Sequence, residues 1–259
     1  MEIKLLHVLI FVFTLVILVM AWSYFIERKM IVVRETVIKT GFTANVVLIA
    51  DLHLGKWKNE TFLRRVVAKI NKQDIDYVFI AGDFTYEPTV TQSLVTLFAP
   101  LADISVPVYA VLGNHDVGKP GPELRDDLAK ALEKSGVILL NNESVELKNF
   151  TLLGLGDSRA NENDTDLIGY SDTEIVLTHN PDTTLRYTDT VNLTLTGHTH
   201  CGQVKIPLLY KYIIPTKGAF YGGFTQELNT QLYITCGLGE VSLPLRLFNP
   251  PVIDVLNLR

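Results

Sequence analysis

The chain has 259 residues, of which 47% are hydrophobic and 20% are charged, and its formal net charge is -5. A mildly acidic chain without a long basic run is not typical of proteins that bind nucleic acid along a general surface, so no nucleic-acid partner is expected. The length suits one large domain or two small ones.

The first element is an uncharged apolar run over residues 5–26. At about 1.5 Å per residue, a helix over this run spans a hydrocarbon core of roughly 30 Å. Trp22 and Tyr24 stand where interfacial aromatic side chains are usual. A cleaved signal peptide is the competing interpretation, but the run is long for one and no A-x-A site follows it. We predict a membrane anchor over residues 1–29 and one globular domain over 30–259.

Basic residues are more numerous after the apolar run than before it. Lys4 and the α-amino group precede the run, and Arg28, Lys29, Arg34 and Lys39 follow it. The positive-inside rule then places the domain in the cytoplasm, attached to the cell membrane by a single span.

Apolar strands and helices alternate in the first half of the domain. Strands are predicted at IVVRETVIKT, NVVLIA, YVFIA and VPVYAVL, and helices after Asn59, around Leu94 and around Leu124. The second half is richer in strands, at TLLGLG, EIVLTH, VNLTLTG, QVKI, QLYITCG and VIDVLNL. Strands that are apolar on both faces belong to a covered sheet, so we predict an α/β sandwich of two sheets with flanking helices.

The two cysteines, Cys201 and Cys236, are far apart in the sequence and match no metal-binding spacing. We predict that both are buried, reduced thiols.

Polar side chains concentrate at the ends of five of the apolar strands. Five of the six histidines in the chain are among them. In open α/β sheets, ligands bind at the carboxyl ends of strands. In chain order, these strand ends carry Asp51 and His53, Asp83, Asn114 and His115, His179, and His198 and His200.

Each of these residues alone has an ordinary interpretation as a turn, cap or loop residue. Together they are costly to bury unless they are paired or bind metal. Imidazole, carboxylate and amide oxygen suit manganese, iron and zinc ions. If one carboxylate is shared, seven ligands make two four-ligand sites, which is the arrangement of two-metal hydrolases. The seven predicted ligands are Asp51, His53, Asp83, Asn114, His179, His198 and His200.

Five motifs resemble, in order and rough spacing, those of the calcineurin-like metallophosphoesterase superfamily. They are Asp51-Leu52-His53, Gly82-Asp83, Gly113-Asn114-His115-Asp116, His179 and Gly197-His198-Thr199-His200. The resemblance covers about residues 30–259 and implies a calcineurin-like two-sheet β-sandwich flanked by helices. The GHTHCGQV stretch and the C-terminal tail are similar to a membrane-anchored bacterial branch. That branch includes phosphodiesterases and a hydrolase of UDP-2,3-diacylglucosamine.

The resemblance also implies a role for each predicted ligand. The first metal would be held by Asp51, His53, Asp83 and His200, and the second by Asp83, Asn114, His179 and His198. The cofactors would be two divalent or trivalent transition metal ions, with manganese as the first expectation and iron or zinc as alternatives. His115 would contact the phosphoryl oxygens or protonate the leaving group.

Two positions depart from relatives. Protein Ser/Thr phosphatases carry an Asp and an Arg where this chain has Tyr86 and Glu87. This difference argues against the protein phosphatase branch and leaves the partner of His115 unidentified. Cys201 stands where relatives often have Gly.

The predicted function is hydrolysis of a phosphodiester or pyrophosphate by a membrane-anchored enzyme, on a lipid-linked or nucleotide-linked substrate. The open alternatives are a phosphomonoesterase, including a protein phosphatase, and a non-catalytic membrane scaffold of the same fold. The scaffold is disfavoured because all seven ligands and His115 are present. The sequence carries no signal for an oligomeric state.

Overall fold

The largest elements in the described part of the chain are two six-stranded sheets and four α-helices. A computed structural model describes residues 2–88, 93–169, 174–218, 220–227 and 229–259.

The elements of the first half come in the predicted alternation. They are α1 (Glu2–Ala21), β1 (Val32–Ile38), β2 (Ala44–Ile49), β3 (Leu54–Gly55), α2 (Glu60–Ile70), β4 (Tyr77–Ala81), β5 (Thr85–Tyr86), α3 (Leu94–Phe98), β6 (Val108–Val111), α4 (Arg125–Lys134) and β7 (Val137–Leu139). The Asn59 side chain caps α2 by accepting a hydrogen bond from Phe62 N, which is the role that the sequence predicts for it.

The second half consists mainly of strands joined by loops and 3-10 turns. The strands are β8 (Glu143–Glu146), β9 (Thr151–Gly154), β10 (Glu174–Leu177), β11 (Val191–Thr196), β12 (Gly223–Gln226), β13 (Thr230–Ile234) and β14 (Val252–Leu258).

The first sheet has the order β1-β14-β2-β4-β6-β7 and the second the order β12-β13-β11-β10-β9-β8. The short strands β3 and β5 pair separately. In the first sheet β2, β4 and β6 run parallel, and in the second β9, β10, β11 and β13 do so. One apolar core lies between the sheets, and a second lies between the first sheet and α2, α3 and α4. The predicted two-sheet sandwich with flanking helices is confirmed.

The QVKI stretch, 203–206, is not the strand that the sequence predicts. Only Val204 pairs, through an isolated bridge to Leu247. Gly202 and Gln203 both have positive φ and turn the chain, and Pro207 follows at once, so an extended run has no room to form.

The prediction of two reduced thiols is wrong, because Cys201 and Cys236 form a disulfide bond. Cys236 follows β13 and Cys201 follows β11, and these two strands are parallel neighbours. Residues beyond the same end of adjacent parallel strands are close in space although 35 positions separate them in sequence.

Helix α1 is exposed over residues 4–18 and belongs to a segment, Lys4–Lys29, that is long and apolar enough to cross a membrane. The segment ends in a tight junction with the domain. Ser23 Oγ donates to the carbonyl of Arg246 at 2.8 Å, and Glu27 Oε1 accepts from Asn249 N at 2.6 Å.

Candidate metal centre

The predicted ligands lie on loops that leave the carboxyl ends of five strands. The loops after β2, β4 and β6 belong to the first sheet, and those after β10 and β11 to the second. Because the sheets pack face to face, the loops meet at one edge of the sandwich. There the side chains of Asp51, His53, Asp83, Asn114, His179, His198 and His200 are all buried.

Asp83 lies between two groups of these side chains. Its Oδ2 is 3.5 Å from Nε2 of His53 and 3.2 Å from Nε2 of His179. On the His53 side, Nε2 of His53 is 3.1 Å from Nε2 of His200, which is in turn 3.7 Å from Oδ1 of Asp51. One carboxylate therefore stands where two groups of potential ligands meet.

The second group surrounds His179. Its Nε2 is 3.1 Å from Oδ1 of Asn114 and 3.0 Å from Nδ1 of His198. The ligand atoms of Asp83, His179 and His198 all lie within 4.8 Å of one another. The structure thus brings together all seven residues to which the strand ends point.

Backbone carbonyls orient the imidazole rings of the second group. Nδ1 of His179 is 2.7 Å from the carbonyl of Ala81, and Nε2 of His198 is 3.2 Å from the carbonyl of Pro215. A carbonyl accepts only a donated proton, so each ring carries its proton on that outer nitrogen. The two inner nitrogens, 3.0 Å apart, are then both unprotonated in neutral rings. Facing lone pairs of this kind need a cation or a proton between them.

The first group repeats this pattern. Nδ1 of His53 is 3.2 Å from the carbonyl of Thr85, which leaves Nε2 of His53 to face Nε2 of His200 at 3.1 Å. The other ring nitrogen of His200 is buried without a hydrogen-bond partner. The donor set and its orientation therefore fit two transition metal ions.

The pKa values of the buried groups also indicate a site that binds cations. Burial lowers the pKa of His179, but Asp83 outweighs burial and the pKa rises to about 10. Burial also raises the pKa of Asp51 to about 7. Burial holds the pKa values of His198 and His200 well below the usual range, so both rings are neutral and have a lone pair that can bind a metal. The raised pKa values show that the buried carboxylates favour positive charge in the site. Metal ions that displace these protons would supply that charge.

Five of the predicted ligands have left-handed backbone conformations. The φ angles are 51° at Asp51, 45° at His53, 56° at Asp83, 68° at His198 and 49° at His200. Such angles are uncommon for residues other than glycine and cluster at functional sites. The tight loops turn these side chains back over the strand ends.

The backbone at position 237 packs so closely against Asp51 that it leaves no room for a side chain. Both carboxylate oxygens of Asp51 accept from His198 N at 3.1 Å. A Cβ at Gly237, where φ is 70°, would lie 2.7 Å from the Asp51 side chain. Position 237 therefore requires glycine, which the sequence does not reveal without knowledge of this contact.

A family model, described as calcineurin-like phosphoesterase, matches residues 44–202. The matched range contains all seven predicted ligands and His115. The chain belongs to this family. The resemblance inferred from the five motifs is confirmed, and so is the expectation of a metallophosphoesterase.

Three curated bacterial relatives extend the match beyond the family model. The chain is 30% identical to the uncharacterized metallophosphoesterase YkuE of Bacillus subtilis, over 92% of this chain and 89% of the relative. It is 28% identical to the phosphodiesterase YaeI of Escherichia coli, over 82% of this chain and 81% of the relative. It is 27% identical to the UDP-2,3-diacylglucosamine pyrophosphatase LpxG of Chlamydia muridarum, over 82% of each. Several other relatives are longer, and the chain spans 59% of their length.

In this metallophosphoesterase His115 lies beside the predicted ligands. Its backbone N–H donates to Oδ1 of Asp83 at 2.9 Å, and its ring packs edge to face on His53 and Tyr86. The ring of His115 is therefore held by packing, with Tyr86 at the position where the protein phosphatases have an Asp.

Asp116, the last residue of the GNHD motif, has a role that the sequence does not suggest. Its buried carboxylate accepts from the backbone N–H groups of Phe84, Thr85 and Gly113 at 3.0 to 3.1 Å. It thereby ties the loop that carries Asp83 to the loop after β6.

A pocket of about 750 Å³ opens onto the centre. Among the residues lining it is Arg159, on the loop after β9, which is the sixth strand end beside the site. Asp157 on the same loop accepts from Arg159 N at 2.8 Å and holds this turn. The sequence contains a signal for this loop. The polar stretch GDSR directly follows an apolar strand, as the polar residues at the other five strand ends do.

Proposed function

We propose that the chain is a two-metal phosphoester hydrolase that acts on phosphodiesters or pyrophosphates. In this proposal one ion is held by Asp51, His53, Asp83 and His200, the other by Asp83, Asn114, His179 and His198, and manganese is the first expectation. The observation that supports it best is the pair of inward-facing imidazole contacts, 3.0 and 3.1 Å, on either side of Asp83. When bound, two such ions polarise phosphoryl oxygens and lower the pKa of water, so that a nucleophile is available at neutral pH.

His115 is proposed to touch the substrate. Its ring lines the pocket next to Asp83, within reach of a phosphoryl group that enters there. Burial lowers the pKa of His115, so the ring is neutral near pH 7 and holds a single N–H. A neutral N–H donates a hydrogen bond to a phosphoryl oxygen, so the donor role suits His115 better than proton transfer to the leaving group. Arg159, on the pocket wall, is placed to pair with the anionic substrate.

Diester or pyrophosphate chemistry is preferred to monoester chemistry. Tyr86 and Glu87 line the pocket at the positions that differ from protein phosphatases. The relatives named as a phosphodiesterase and a pyrophosphatase support the same choice.

The test compares hydrolysis of bis-p-nitrophenyl phosphate with that of p-nitrophenyl phosphate, with and without Mn²⁺. We expect metal-dependent cleavage with the diester preferred, loss of activity in Asp83→Asn, and normal activity in the exposed-residue control Asp103→Asn. A preference for the monoester would favour the phosphomonoesterase alternative. No hydrolysis of either ester by metal-loaded chain would favour the scaffold.

A lipid-linked substrate is the second part of the proposal. The pocket extends from His198 and His200 to Met20 in α1, and apolar side chains such as Val241 and Leu245 line the path. The relative LpxG is named for a diacylated nucleotide sugar. A pocket that is polar at the metal end and apolar towards the anchor suits an amphiphilic phosphodiester or pyrophosphate.

Variants of the full chain in liposomes test this part. We expect Leu245→Ser to slow hydrolysis of UDP-diacylglucosamine in the same vesicles about tenfold, and to leave bis-p-nitrophenyl phosphate hydrolysis within a few-fold. The matched control is Leu185→Ser, an exposed leucine outside this pocket. Equal effects of Leu245→Ser on both substrates would overturn the lipid assignment.

The membrane orientation is the third part. We propose that α1 crosses the bilayer and that the domain lies in the cytoplasm, because basic residues are more numerous on its side. The Cys201–Cys236 disulfide weighs against this, since disulfides persist mainly in oxidising compartments. Labelling of a cysteine introduced at the exposed position 103 (Asp103→Cys) with a membrane-impermeant maleimide in intact cells decides the side. Protection from the reagent supports the cytoplasmic side, and labelling in intact cells overturns it.

A further inference from the structure

A patch of exposed apolar side chains borders the outer end of the pocket. It contains seven of the fourteen exposed large apolar side chains among the described residues 30–259. Leu208 and Tyr212 are 85% and 87% exposed. The patch, called the apolar rim below, consists of Ile206, Leu208, Leu209, Tyr212, Ile213, Leu243 and Phe248. An apolar patch of this kind marks an interaction surface.

The apolar rim is connected directly to the end of the candidate transmembrane helix. Ser23 Oγ donates to the carbonyl of Arg246, and Asn249 N donates to Glu27 Oε1, so residues 243–249 lie against the base of the anchor. Lys205 N donates to the carbonyl of Leu247 at 2.9 Å, so the 206–213 loop begins beside residues 243–249. Both rim segments are therefore fixed beside the point where α1 leaves the domain.

The charge of the rim segment is suited to an anionic lipid surface. Residues 204–226 contain Lys205, Lys211 and Lys217 and no acidic residue. In a chain whose net charge is -5, this is a local cationic stretch. Lysines beside exposed leucine and tyrosine make the combination that binds the interface of a bilayer with anionic headgroups.

The rim also borders the entrance to the metal centre. Ile213 and Leu243 line the pocket together with Met20 of α1 on one side and His198 and His200 on the other. An amphiphile in the leaflet that faces the domain would therefore meet the rim before it meets the predicted ligands.

We propose that the apolar rim is a second membrane-binding surface, which inserts into the headgroup region of the same bilayer that α1 crosses. The occupant of the rim is anionic lipid. The helix junction places the rim at the bilayer, and the lysines select anionic headgroups. Two attachments, α1 and the rim, fix the tilt of the domain so that the pocket faces the lipid. The proposal rests on α1 spanning the membrane, and it is independent of which ester the centre cleaves.

Tryptophan quenching in vesicles tests this directly. The full chain is reconstituted into phosphatidylethanolamine–phosphatidylglycerol vesicles, with or without lipids brominated near the headgroup end of the acyl chains. Leu208→Trp and Tyr212→Trp report on the rim, and Ile138→Trp, at an exposed apolar position on β7, is the matched control. The emission of the unsubstituted chain, which contains the two native tryptophans, is measured in the same vesicles and subtracted.

We expect bromine to quench the added emission of both rim variants by half or more, and to leave that of Ile138→Trp unchanged. Replacing phosphatidylglycerol by phosphatidylcholine should reduce the quenching. Unquenched rim tryptophans with water-exposed emission overturn the proposal. A blue shift that depends on the protein-to-lipid ratio without bromine quenching also overturns it and assigns the rim to a second copy of the chain. Wild-type melting temperatures show that the variants fold, and no step depends on hydrolysis, so failure of the proposed function leaves this test intact.

Discussion

Replacing Asp116 by Ala should destabilise the fold more than any exposed substitution, although Asp116 is not a predicted ligand. Its carboxylate is fully buried and accepts from three backbone N–H groups and from the Thr85 hydroxyl. A buried donor left without its acceptor costs about 1–3 kcal/mol. For three backbone donors, with water entering part of the space, we expect a loss of about 3–5 kcal/mol in the free energy of unfolding. That is a large part of a typical total stability of about 5–15 kcal/mol.

Asp116→Asn provides an internal comparison. Its remaining oxygen can accept from Thr85, but its NH₂ group would face the N–H groups of Phe84 and Gly113. We expect it to lose about half as much stability as Asp116→Ala. Urea unfolding of the full chain in detergent micelles, followed by near-ultraviolet circular dichroism, measures both, with exposed Asp103→Ala as the control within about 0.5 kcal/mol. A loss below about 1 kcal/mol for Asp116→Ala would refute the claim that this carboxylate ties the two loops together.

Three further predictions concern other parts of the chain. His115→Ala should keep its metal content and lower kcat by about 10²–10⁴-fold, whereas loss of metal would reassign it as a ligand. Asn249→Ala removes the 2.6 Å hydrogen bond to the His200 carbonyl, so metal titration should show about 10–100-fold weaker binding of one ion; unchanged affinity would contradict this. Burial lowers the pKa of Lys58 to about 8, so from about pH 8 to 10.5 the unfolded chain binds a proton that the folded chain has lost. Stability should therefore rise with pH in that window, and thermal unfolding of Lys58→Met should lack this rise.

Much of the fold and of the centre could be predicted because both depend on local pattern. Runs such as YVFIA identify strands buried on both faces, and parallel strands bring their carboxyl ends to one edge. Polar residues that follow such runs therefore meet, whatever the lengths of the intervening loops. This is why Asp83 and His179, which are 96 positions apart in the sequence, could be assigned to one site without a structure.

The remaining features depend on long-range contacts that leave no local pattern. The Cys201–Cys236 pairing follows from the parallel neighbours β11 and β13, and strand order is not readable from strand composition. The same holds for the junction of α1 with the domain. From its position just after the apolar run, Arg28 is expected to lie at the membrane surface. Instead it is buried in an ion pair with Glu240. Asp116 lies in a recognised motif, but two of the backbone donors that give it a role, Phe84 N and Thr85 N, come from the loop after β4.

The number of metal ions bound by the full chain is the direct test of the two-metal centre. After Mn²⁺ loading and removal of free metal, we expect about two ions per folded chain, none in Asp83→Ala and about one in Asn114→Ala. The exposed-residue control Asp103→Asn should keep both ions. The absence of bound metal in well-folded chain, or an Asp83→Ala variant that keeps two ions, would contradict the two-metal centre.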